Sequence, residues 1–218
     1  MSPYETSTVT AAYRRRCEDR VAVIDFPDGV VIAVADGAGG IGSGDQAAEA
    51  VIREVTAVAS LDHDESAWCD ILRQIDLRVG LGESTGAVVA VAARGMVGAC
   101  VGDSLAWFLD GDELLDLTRN RIRKPLLGSG EANPVGFTHP TTQGLLLVAT
   151  DGFCNYVRRE RLLKEILWLD FALLVRELVE MVRLPSGGLW DDVGIVACRP
   201  RPVVCDRKRY DLDDPTGS

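Results

Sequence analysis

Histidine is almost absent from this sequence, and its cysteines do not form a recognisable metal-binding or redox pattern. The 218 residues include two histidines, His63 and His139, and neither stands in an H-E-x-x-H or similar metal-ligand spacing. The six cysteines are scattered without a C-x-x-C pair, so their spacing indicates buried free thiols rather than a zinc knuckle or a dithiol site. Any bound metal is therefore expected to depend mainly on carboxylates.

Positive charge and long apolar runs are also scarce. There are 23 Lys plus Arg against 33 Asp plus Glu, and the net charge of -10 would repel a nucleic-acid backbone. The longest apolar runs, such as residues 30–35 and 145–149, are far shorter than the roughly 18 to 20 residues of a membrane-spanning helix. The first twenty residues contain no apolar block typical of a secretory signal. We therefore expect a cytoplasmic protein that has neither nucleic acid nor a membrane as partner.

The composition is that of an ordinary globular protein, because 47% of the residues are apolar and 26% are charged. The length suits one medium-sized domain with a core of its own. Residues 201–218 are rich in Pro, Asp and Arg and have little to bury. The sequence therefore predicts a single domain over residues 1–200 and a flexible C-terminal tail over residues 201–218.

Apolar runs and helical periodicities divide the chain into strands that occur in runs and helices that occur in pairs. This order lacks the strict strand–helix alternation of a parallel sheet, so it predicts an α+β fold of mostly antiparallel sheets packed on each other, with helices outside. In chain order we predict a hairpin (21–26 and 30–35), two helices (45–61 and 65–79), a three-stranded meander (87–93, 96–101 and 105–109), a surface loop (118–140), a strand (144–149), one long or two shorter helices (158–183) and a last strand (193–198).

Acidic residues recur at the ends of the predicted strands. Asp36 and Asp151 each end a buried strand and precede a glycine, and Asp103 follows a third strand. Two acidic pairs, Glu18-Asp19 and Asp191-Asp192, stand just before the first and the last strand. Any one Asp-Gly dipeptide is more often a turn than a ligand. Five acidic clusters in a protein with so little histidine instead favour a shared site.

If those strand ends converge, mutual repulsion would raise several pKa values unless cations neutralise the carboxylates. Oxygen ligands alone suit hard divalent ions such as Mg2+ or Mn2+. Two such ions a few Å apart could share a carboxylate and activate a bridging water for attack on phosphorus. The strand ends therefore predict a binuclear metal site.

The glycine-rich stretch after Asp36 allows a rival interpretation. Residues 37–42 match G-x-G-x-x-G between a strand and a helix, and Asp62 lies about twenty residues on, as in a dinucleotide-binding fingerprint. However, Asp36 would place a negative charge close to the pyrophosphate, and the upstream hairpin contradicts the parallel βαβ unit that the fingerprint requires. A glycine-rich loop without a ligand is favoured over the dinucleotide site.

Six short motifs follow one another through the chain: Arg14-Arg15-Arg16-Cys17-Glu18-Asp19, Val34-Ala35-Asp36-Gly37-Ala38-Gly39-Gly40, Ser84-Thr85-Gly86-Ala87, Val101-Gly102-Asp103-Ser104, Ala149-Thr150-Asp151-Gly152-Phe153 and Asp191-Asp192-Val193. Each motif is weak alone, but six in this order and spacing are specific. Together they resemble the metal-dependent serine/threonine protein phosphatases of the PPM (PP2C) family, in a compact bacterial form, over nearly the whole chain.

The resemblance implies a four-layer α-β-β-α sandwich with two Mn2+ or Mg2+ ions at one end and a possible third ion. By this resemblance Asp36 bridges both ions, and the Gly37 carbonyl binds one of them. Asp19, Asp151 and Asp191 bind the ions directly or through water, and Glu18 supports these ligands. Asp103, together with Asp151, holds the weaker third ion.

The resemblance also assigns Arg14 to the substrate phosphate. A guanidinium fork matches phosphate oxygens in a bidentate way. Arg15 and Arg16 could serve as well, and a solvated basic turn is the alternative role for this segment. The register of the motif favours Arg14.

Three departures from the family pattern bear on activity. Ala38 stands where some relatives carry a histidine proposed as general acid, so protonation of the leaving group would fall to a metal-bound water or go unassisted. Leu105 replaces the arginine that usually follows Gly-Asp-Ser, which removes an expected ion pair. The flap beside the active site is reduced to residues 119–136, whose basic cluster either holds an acidic or phosphorylated partner or is a solvated loop.

The sequence thus predicts a phosphoprotein phosphatase that hydrolyses phosphoserine and phosphothreonine by attack of a metal-bridging water, without a covalent phosphoenzyme. A phosphoprotein is the expected partner, and a cognate serine/threonine kinase system is a further candidate. The alternative is a catalytically silent regulator of the same fold that binds a phosphoprotein or a kinase. Trp107, Trp168 and Trp190 are interpreted as packing residues rather than recognition features.

Overall fold

The computed structural model describes residues 2–38 and 43–202. Within them the chain forms two antiparallel sheets that pack face to face, with helices on both outer surfaces. The predicted α+β four-layer sandwich is confirmed.

In chain order the elements are β1 (Tyr4–Ala11), β2 (Asp19–Phe26), β3 (Gly29–Ala38), α1 (Gly44–Val58), α2 (Glu65–Asp76), β4 (Glu83–Ser84), β5 (Gly86–Ala92), β6 (Gly95–Val101), β7 (Leu105–Asp110), β8 (Glu113–Asp116), β9 (Val135–His139), β10 (Leu145–Ala149), α3 (Asp151–Cys154), α4 (Arg159–Glu165), a 3-10 turn (Ile166–Trp168), α5 (Leu174–Val182) and β11 (Val193–Pro200).

Strand β3 is buried on both faces, which explains its unbroken apolar sequence. Alternate residues such as Ile32 and Val34 belong to the core between the two sheets. The residues between them, such as Ala33 and Ala35, pack beneath the helices α1 and α2. Because successive side chains of a strand point to opposite faces, an apolar run of this kind marks an inner strand covered on both sides.

The strand order differs from the predicted meander. One sheet has the order β1-β11-β10-β7-β8, and the other has the order β2-β3-β5-β6-β9 with β4 beside the end of β3. Strands β5 and β6 pair as expected, but β7 crosses to the other sheet, so the predicted three-stranded meander is wrong. The chain leaves β6 through Gly102, whose φ of +86° lies in the left-handed region that favours glycine. This crossing places Asp103 between the sheets.

The edges of the sheets account for the other differences. The predicted surface loop 118–140 contains β9, which pairs with β6 and forms one edge. Strand β1, at an edge of the other sheet, was not predicted because its sequence YETSTVTA is polar and only half-buried. Edge strands bury less apolar surface and so carry a weaker hydrophobic pattern. The segment 158–183 forms the two shorter helices α4 and α5 rather than one long helix.

The described cysteines are free thiols, as predicted. Cys69, Cys100 and Cys198 are buried, and Cys17 and Cys154 are half-buried. Burial raises the pKa of the Cys100 thiol to about 12, which makes it chemically inert at neutral pH.

The remaining predictions concern the C-terminal tail, the glycine-rich motif and membrane-spanning helices. The predicted flexible tail beyond Pro202 and residues 39–42 of the glycine-rich motif lie outside the described residues. The antiparallel pairing of β2 with β3 rules out the parallel βαβ unit of a dinucleotide site here. No helix within residues 2–38 and 43–202 is long and apolar enough to cross a membrane.

Candidate metal centre

The predicted carboxylates meet at one end of the sandwich, where strands of both sheets begin or end. Asp19 begins β2 and is the cross-strand partner of Asp36 near the end of β3. Asp151 follows β10, Asp103 lies in the crossing from β6 to β7, and Asp191 precedes β11. The antiparallel order therefore brings together side chains that are up to 172 positions apart in the sequence, from Asp19 to Asp191.

Three of these carboxylates form the tightest group. One side-chain oxygen from each of Asp36, Asp103 and Asp151 lies within 4.8 Å of the others. Each residue is half-buried, so the group is reachable from solvent but partly screened from it. Such a set of oxygen ligands suits a hard divalent cation.

Asp19 provides a separate test of whether this site fits a metal. Its carboxylate is buried, and Oδ2 accepts a 2.6 Å hydrogen bond from the Thr150 hydroxyl. Its other oxygen, Oδ1, is also buried but accepts no hydrogen bond from any described residue. Because a buried carboxylate oxygen without a partner is costly, this oxygen fits the role of a cation ligand.

Burial and crowding shift the ionisation of the cluster. The pKa of Asp36 is raised, first by burial and then by the charges of Asp19 and Asp151. The pKa of Asp19 is raised mainly by burial, although the Thr150 hydrogen bond opposes the shift. Burial followed by the charge of Asp103 raises the pKa of Asp151. Divalent cations would remove this repulsion and hold the carboxylates ionised.

Buried hydroxyl groups support the carboxylates from below. Thr150 donates to Asp19 and accepts a 2.8 Å hydrogen bond from the Gly194 backbone. Thr85 accepts a 3.0 Å hydrogen bond from the Asp36 backbone and lies 2.6 Å from the Ser104 hydroxyl. These residues belong to the sequence motifs but were not predicted to have a role of their own. Thr150 and Ser104 stand directly beside Asp151 and Asp103 in their motifs, and this position is the signal that could have identified them, whereas Thr85 has no neighbouring aspartate in the sequence.

Asp192 ties the N-terminal turn to this site and was not predicted as a site residue. Its Oδ1 accepts a 2.6 Å hydrogen bond from the Tyr13 backbone, and its Oδ2 accepts a 2.5 Å bond from the Glu18 backbone. These two bonds hold the segment that carries Arg14 against the start of β11. The second aspartate of the Asp191-Asp192 pair therefore positions a loop, whereas Asp191 is exposed beside the cavity.

Two glycines allow the close approaches that build the site. A Cβ on Gly37 would overlap the Gly44 carbonyl at the start of α1. A Cβ on Gly152 would overlap the Asp192 carbonyl. The glycines after Asp36 and Asp151 are therefore required by backbone packing, in addition to the turns that the sequence predicted.

Arg14 and Arg16 both line a cavity of about 430 Å³ above the carboxylates, which we call the Arg14 cavity. The Arg14 guanidinium lies 5.0 Å from the centre of the Tyr13 ring. Arg16 forms a 3.2 Å ion pair with Asp45, and Arg15 is not among the described lining residues. This geometry favours Arg14, as the sequence register did. The other lining residues are Tyr13, Glu18, Asp36, Gly37, Ala38, Asp151, Trp190, Asp191 and Asp192.

The basic side chains of the predicted cluster at residues 119–124 lie in different environments. Arg121 forms a 2.9 Å ion pair with Asp116, and Arg119 lines a cavity beside β8 and β9. Arg123 and Lys124 line a second opening of about 440 Å³ onto Asp36, Asp103 and Asp151. The charge of Arg123 opposes the raised pKa of Asp151. Only part of the cluster therefore faces the acidic group.

The structure shows the environments of Ala38 and Leu105, the two residues that differ from the family pattern. Ala38 lines both openings, and no histidine is among the described residues that line either one. His63 packs against Trp68, and His139 packs against Phe108. Leu105 is buried with Trp107 in the core beneath the helices α4 and α5, where an arginine would be costly.

The architecture described above is that of the bacterial PP2C-type serine/threonine phosphatases. The S. agalactiae serine/threonine phosphatase superposes with a TM-score of 0.77 at 18% identity, over 91% of this chain and 100% of that one. The Mycobacterium tuberculosis serine/threonine phosphatase PstP/Ppp gives 0.72 at 20% identity, over 91% and 99%. PppA of Pseudomonas aeruginosa, a key regulatory component of T6SS, gives 0.75 at 20% identity, over 91% and 98%.

A structure of the PstP catalytic domain in complex with two manganese ions is also similar, with a TM-score of 0.74 at 20% identity over 90% of this chain and 97% of that one. Comparison of the sequence with protein-family models and with curated proteins gives no match. The structural likeness therefore shows the fold, which is the one the sequence motifs implied.

Proposed function

We propose that this protein is a metal-dependent phosphatase that hydrolyses phosphoserine and phosphothreonine in proteins. The observation that carries the proposal is the convergence of Asp36, Asp103 and Asp151, whose oxygens lie within 4.8 Å of one another. The unpartnered Asp19 oxygen and the manganese ions of a structure with the same fold support it. A binding module would gain nothing from such a concentration of partly buried negative charge.

Two divalent ions would be held by Asp36, the Gly37 carbonyl, Asp19, Asp151 and Asp191, with Glu18 behind them. Asp103 and Asp151 would hold a third ion. When bound, Mn2+ or Mg2+ would supply a nucleophilic water at neutral pH and offset the charge of the phosphate.

The chain's own residues position the substrate and the ligands. Arg14 binds two phosphate oxygens through its guanidinium fork, and Asp192 holds the turn that carries it. Thr150 orients Asp19. The cavity-lining residues include no Ser, Thr, Cys or His among the described part of the chain. Direct attack by water is the mechanism that the family resemblance implies, and because no imidazole lines the described part of this cavity, water supplies the proton to the leaving serine or threonine oxygen.

The reaction consumes one water for each phosphomonoester. The bond from phosphorus to the serine or threonine oxygen breaks, a bond from phosphorus to the water oxygen forms, and the products are the free hydroxyl and inorganic phosphate. We expect the partner to be a phosphoprotein that a serine/threonine kinase has modified.

The test is hydrolysis of p-nitrophenyl phosphate and a phosphothreonine peptide with Mn2+, Mg2+ or EDTA. We expect metal-dependent turnover in the wild type and its loss in Asp36→Asn. Asp28→Asn is the matched control, because Asp28 lies exposed in the turn between β2 and β3. A folded wild type that is inactive with every metal would overturn the proposal and favour the silent regulator that binds a phosphoprotein or kinase.

A further inference from the structure

Exposed aromatic side chains gather around the Arg14 cavity. Trp190 and Tyr13 line it and are 57% and 46% exposed. Tyr156 is 39% exposed and stacks on Trp190. Large aromatic groups exposed next to one another beside a polar cavity are typical of recognition surfaces. The stacking of Trp190 on Tyr156 agrees with the sequence-based interpretation of Trp190 as a packing residue, and its position in the lining also exposes it to the cavity.

The backbone on each side of the stacked pair is anchored to the core. The Trp190 and Tyr156 ring centres are 5.9 Å apart, and the ring planes differ by 11°. Leu189, next to Trp190 in the chain, is buried in the core beneath α4 and α5. Tyr156 donates a backbone hydrogen bond of 3.2 Å to Phe153, whose side chain is buried in the same core. A ligand would therefore meet a preorganised aromatic surface, which reduces the entropy lost on binding.

The surroundings of Trp190 favour a cation. Asp192 lies two positions after it, and its two oxygens accept backbone N–H bonds, so that among the described residues no side-chain cation neutralises its charge. The face of an indole ring attracts cations, and arginine can also stack on it as a plane. Arg14 already makes a guanidinium contact of this kind with Tyr13 in the same cavity. The net charge of -10 would also draw basic segments toward the protein.

We propose that the stacked pair of Trp190 and Tyr156 binds an arginine side chain of the substrate polypeptide next to the phosphoserine or phosphothreonine. This inference rests on the proposed function, because the phosphate anchors the polypeptide in the Arg14 cavity. It assigns a specificity role to a surface that the hydrolysis itself does not use.

The experiment compares phosphothreonine peptides that differ only in having Arg, Ala or Glu at positions beside the phosphothreonine. We expect the wild type to prefer the Arg peptide to the Ala peptide by about 3- to 5-fold in kcat/KM, as one exposed cation–π contact allows. In Trp190→Ala this preference should fall to within about twofold, while Trp190→Phe, which keeps an aromatic face, should retain part of it. Equal rates for the Arg and Ala peptides in the wild type, or an equal loss for both in Trp190→Ala, would overturn the proposal.

Trp168→Ala is the matched control, because Trp168 is 87% exposed and lies on the 3-10 turn rather than in the Arg14 cavity. This variant should keep the wild-type peptide preference. Trp168→Ala should unfold at the wild-type temperature, and Trp190→Ala should unfold only slightly below it, since this variant also loses the stacking contact with Tyr156. If both instead lost the preference equally, the effect could not be assigned to Trp190, and the proposal would fail.

A second readout separates this inference from the proposed function. The affinity of fluorescein-labelled Arg and Ala phosphopeptides for the Mn2+-loaded protein can be measured by anisotropy without any turnover. If p-nitrophenyl phosphate is not hydrolysed with any metal, the proposed function fails, and anisotropy alone decides the role of Trp190. Tighter binding of the Arg peptide that is lost in Trp190→Ala supports the proposal, and equal affinities overturn it.

Discussion

Asp19 and Asp36 are cross-strand partners on β2 and β3, so two carboxylates share one face of a sheet at its buried end. Side chains so paired lie about 5 Å apart at Cβ, and like charges there destabilise the sheet. Burial is the main reason that the pKa of each is raised, and the charge of Asp19 adds to the shift at Asp36. The pair thus couples folding to pH and to metal binding.

The first prediction concerns the stability of the metal-free protein. A carboxyl group with a raised pKa contributes stability below its unfolded value, near pH 4, and this contribution is lost as the pH rises through the folded value. In EDTA, the Tm of the wild type should therefore fall from pH 5 to pH 8 relative to that of Asp36→Asn, whose amide does not ionise.

Scanning calorimetry at pH 5, 6, 7 and 8 provides this comparison. Mn2+ should raise the wild-type Tm more at pH 8 than at pH 5, because the ionised carboxylates bind it. A wild-type Tm that rises relative to the variant in EDTA over this range would contradict the sign of the raised pKa values.

Thr150 should control metal affinity through Asp19. Thr150→Val removes the hydroxyl that donates to Asp19 and accepts from the Gly194 backbone. We expect Mn2+ affinity to fall about 10- to 100-fold, as for other residues that orient metal ligands. The unfilled backbone donor should also cost about 1 to 3 kcal/mol of unfolding free energy. Thr150→Ser retains the hydroxyl and should bind Mn2+ nearly as well, in calorimetric titrations. Equal affinities in the Val and Ser variants would rule out this positioning role.

Arg14 should act on substrate binding, and Arg15 should not. Arg14→Ala removes a charge-assisted donor pair from the cavity, so kcat/KM for a phosphothreonine peptide should fall at least about tenfold. Arg15 is not among the described residues of that cavity, so Arg15→Ala should stay within about twofold of the wild type. Steady-state kinetics with Mn2+ distinguishes the two. A larger loss in Arg15→Ala would show that the register favoured for this motif is wrong.

Asp76 should be a major stabilising residue although it lies outside the metal site. Its Oδ1 accepts hydrogen bonds from the backbones of Gly128 and Gly130 at 2.7 and 3.0 Å, and its Oδ2 accepts one from Ala132 at 2.9 Å. Asp76→Ala leaves three donors without this acceptor and should lower the free energy of unfolding by about 3 kcal/mol.

Asp70→Ala, on the exposed face of the same helix, is the matched control for Asp76→Ala. Within the described part of the chain, Asp70 pairs only with the exposed Arg73, so its loss should cost less than about 1 kcal/mol. Urea unfolding in the presence of EDTA measures both variants without a contribution from bound metal. Similar costs for the two substitutions would show that the three backbone bonds to Asp76 contribute little.

The interior of the fold could be predicted because local patterns report burial. The run 30–35 predicted a buried strand, and the three- and four-residue periodicity of 45–61 and 65–79 predicted α1 and α2. The edge strands β1 and β9 escaped because a half-buried edge has little apolar pattern. The crossing of β7 to the other sheet was not predicted because strand pairing joins distant segments of the chain, and no local periodicity encodes that pairing.

The same division holds for the candidate site. The acidic residues at strand ends could be identified from the sequence alone, since Asp36, Asp103 and Asp151 each follow an apolar run. That their oxygens meet within 4.8 Å, and that Thr150 and Asp192 hold the neighbouring groups, became clear from the folded structure. The folded structure also shows that Trp190 faces the cavity with Tyr156 stacked on it. The burial of one helix or strand can be predicted because it depends on the apolar pattern of its own residues. Distances between side chains, in contrast, depend on how strands far apart in the sequence pair and pack.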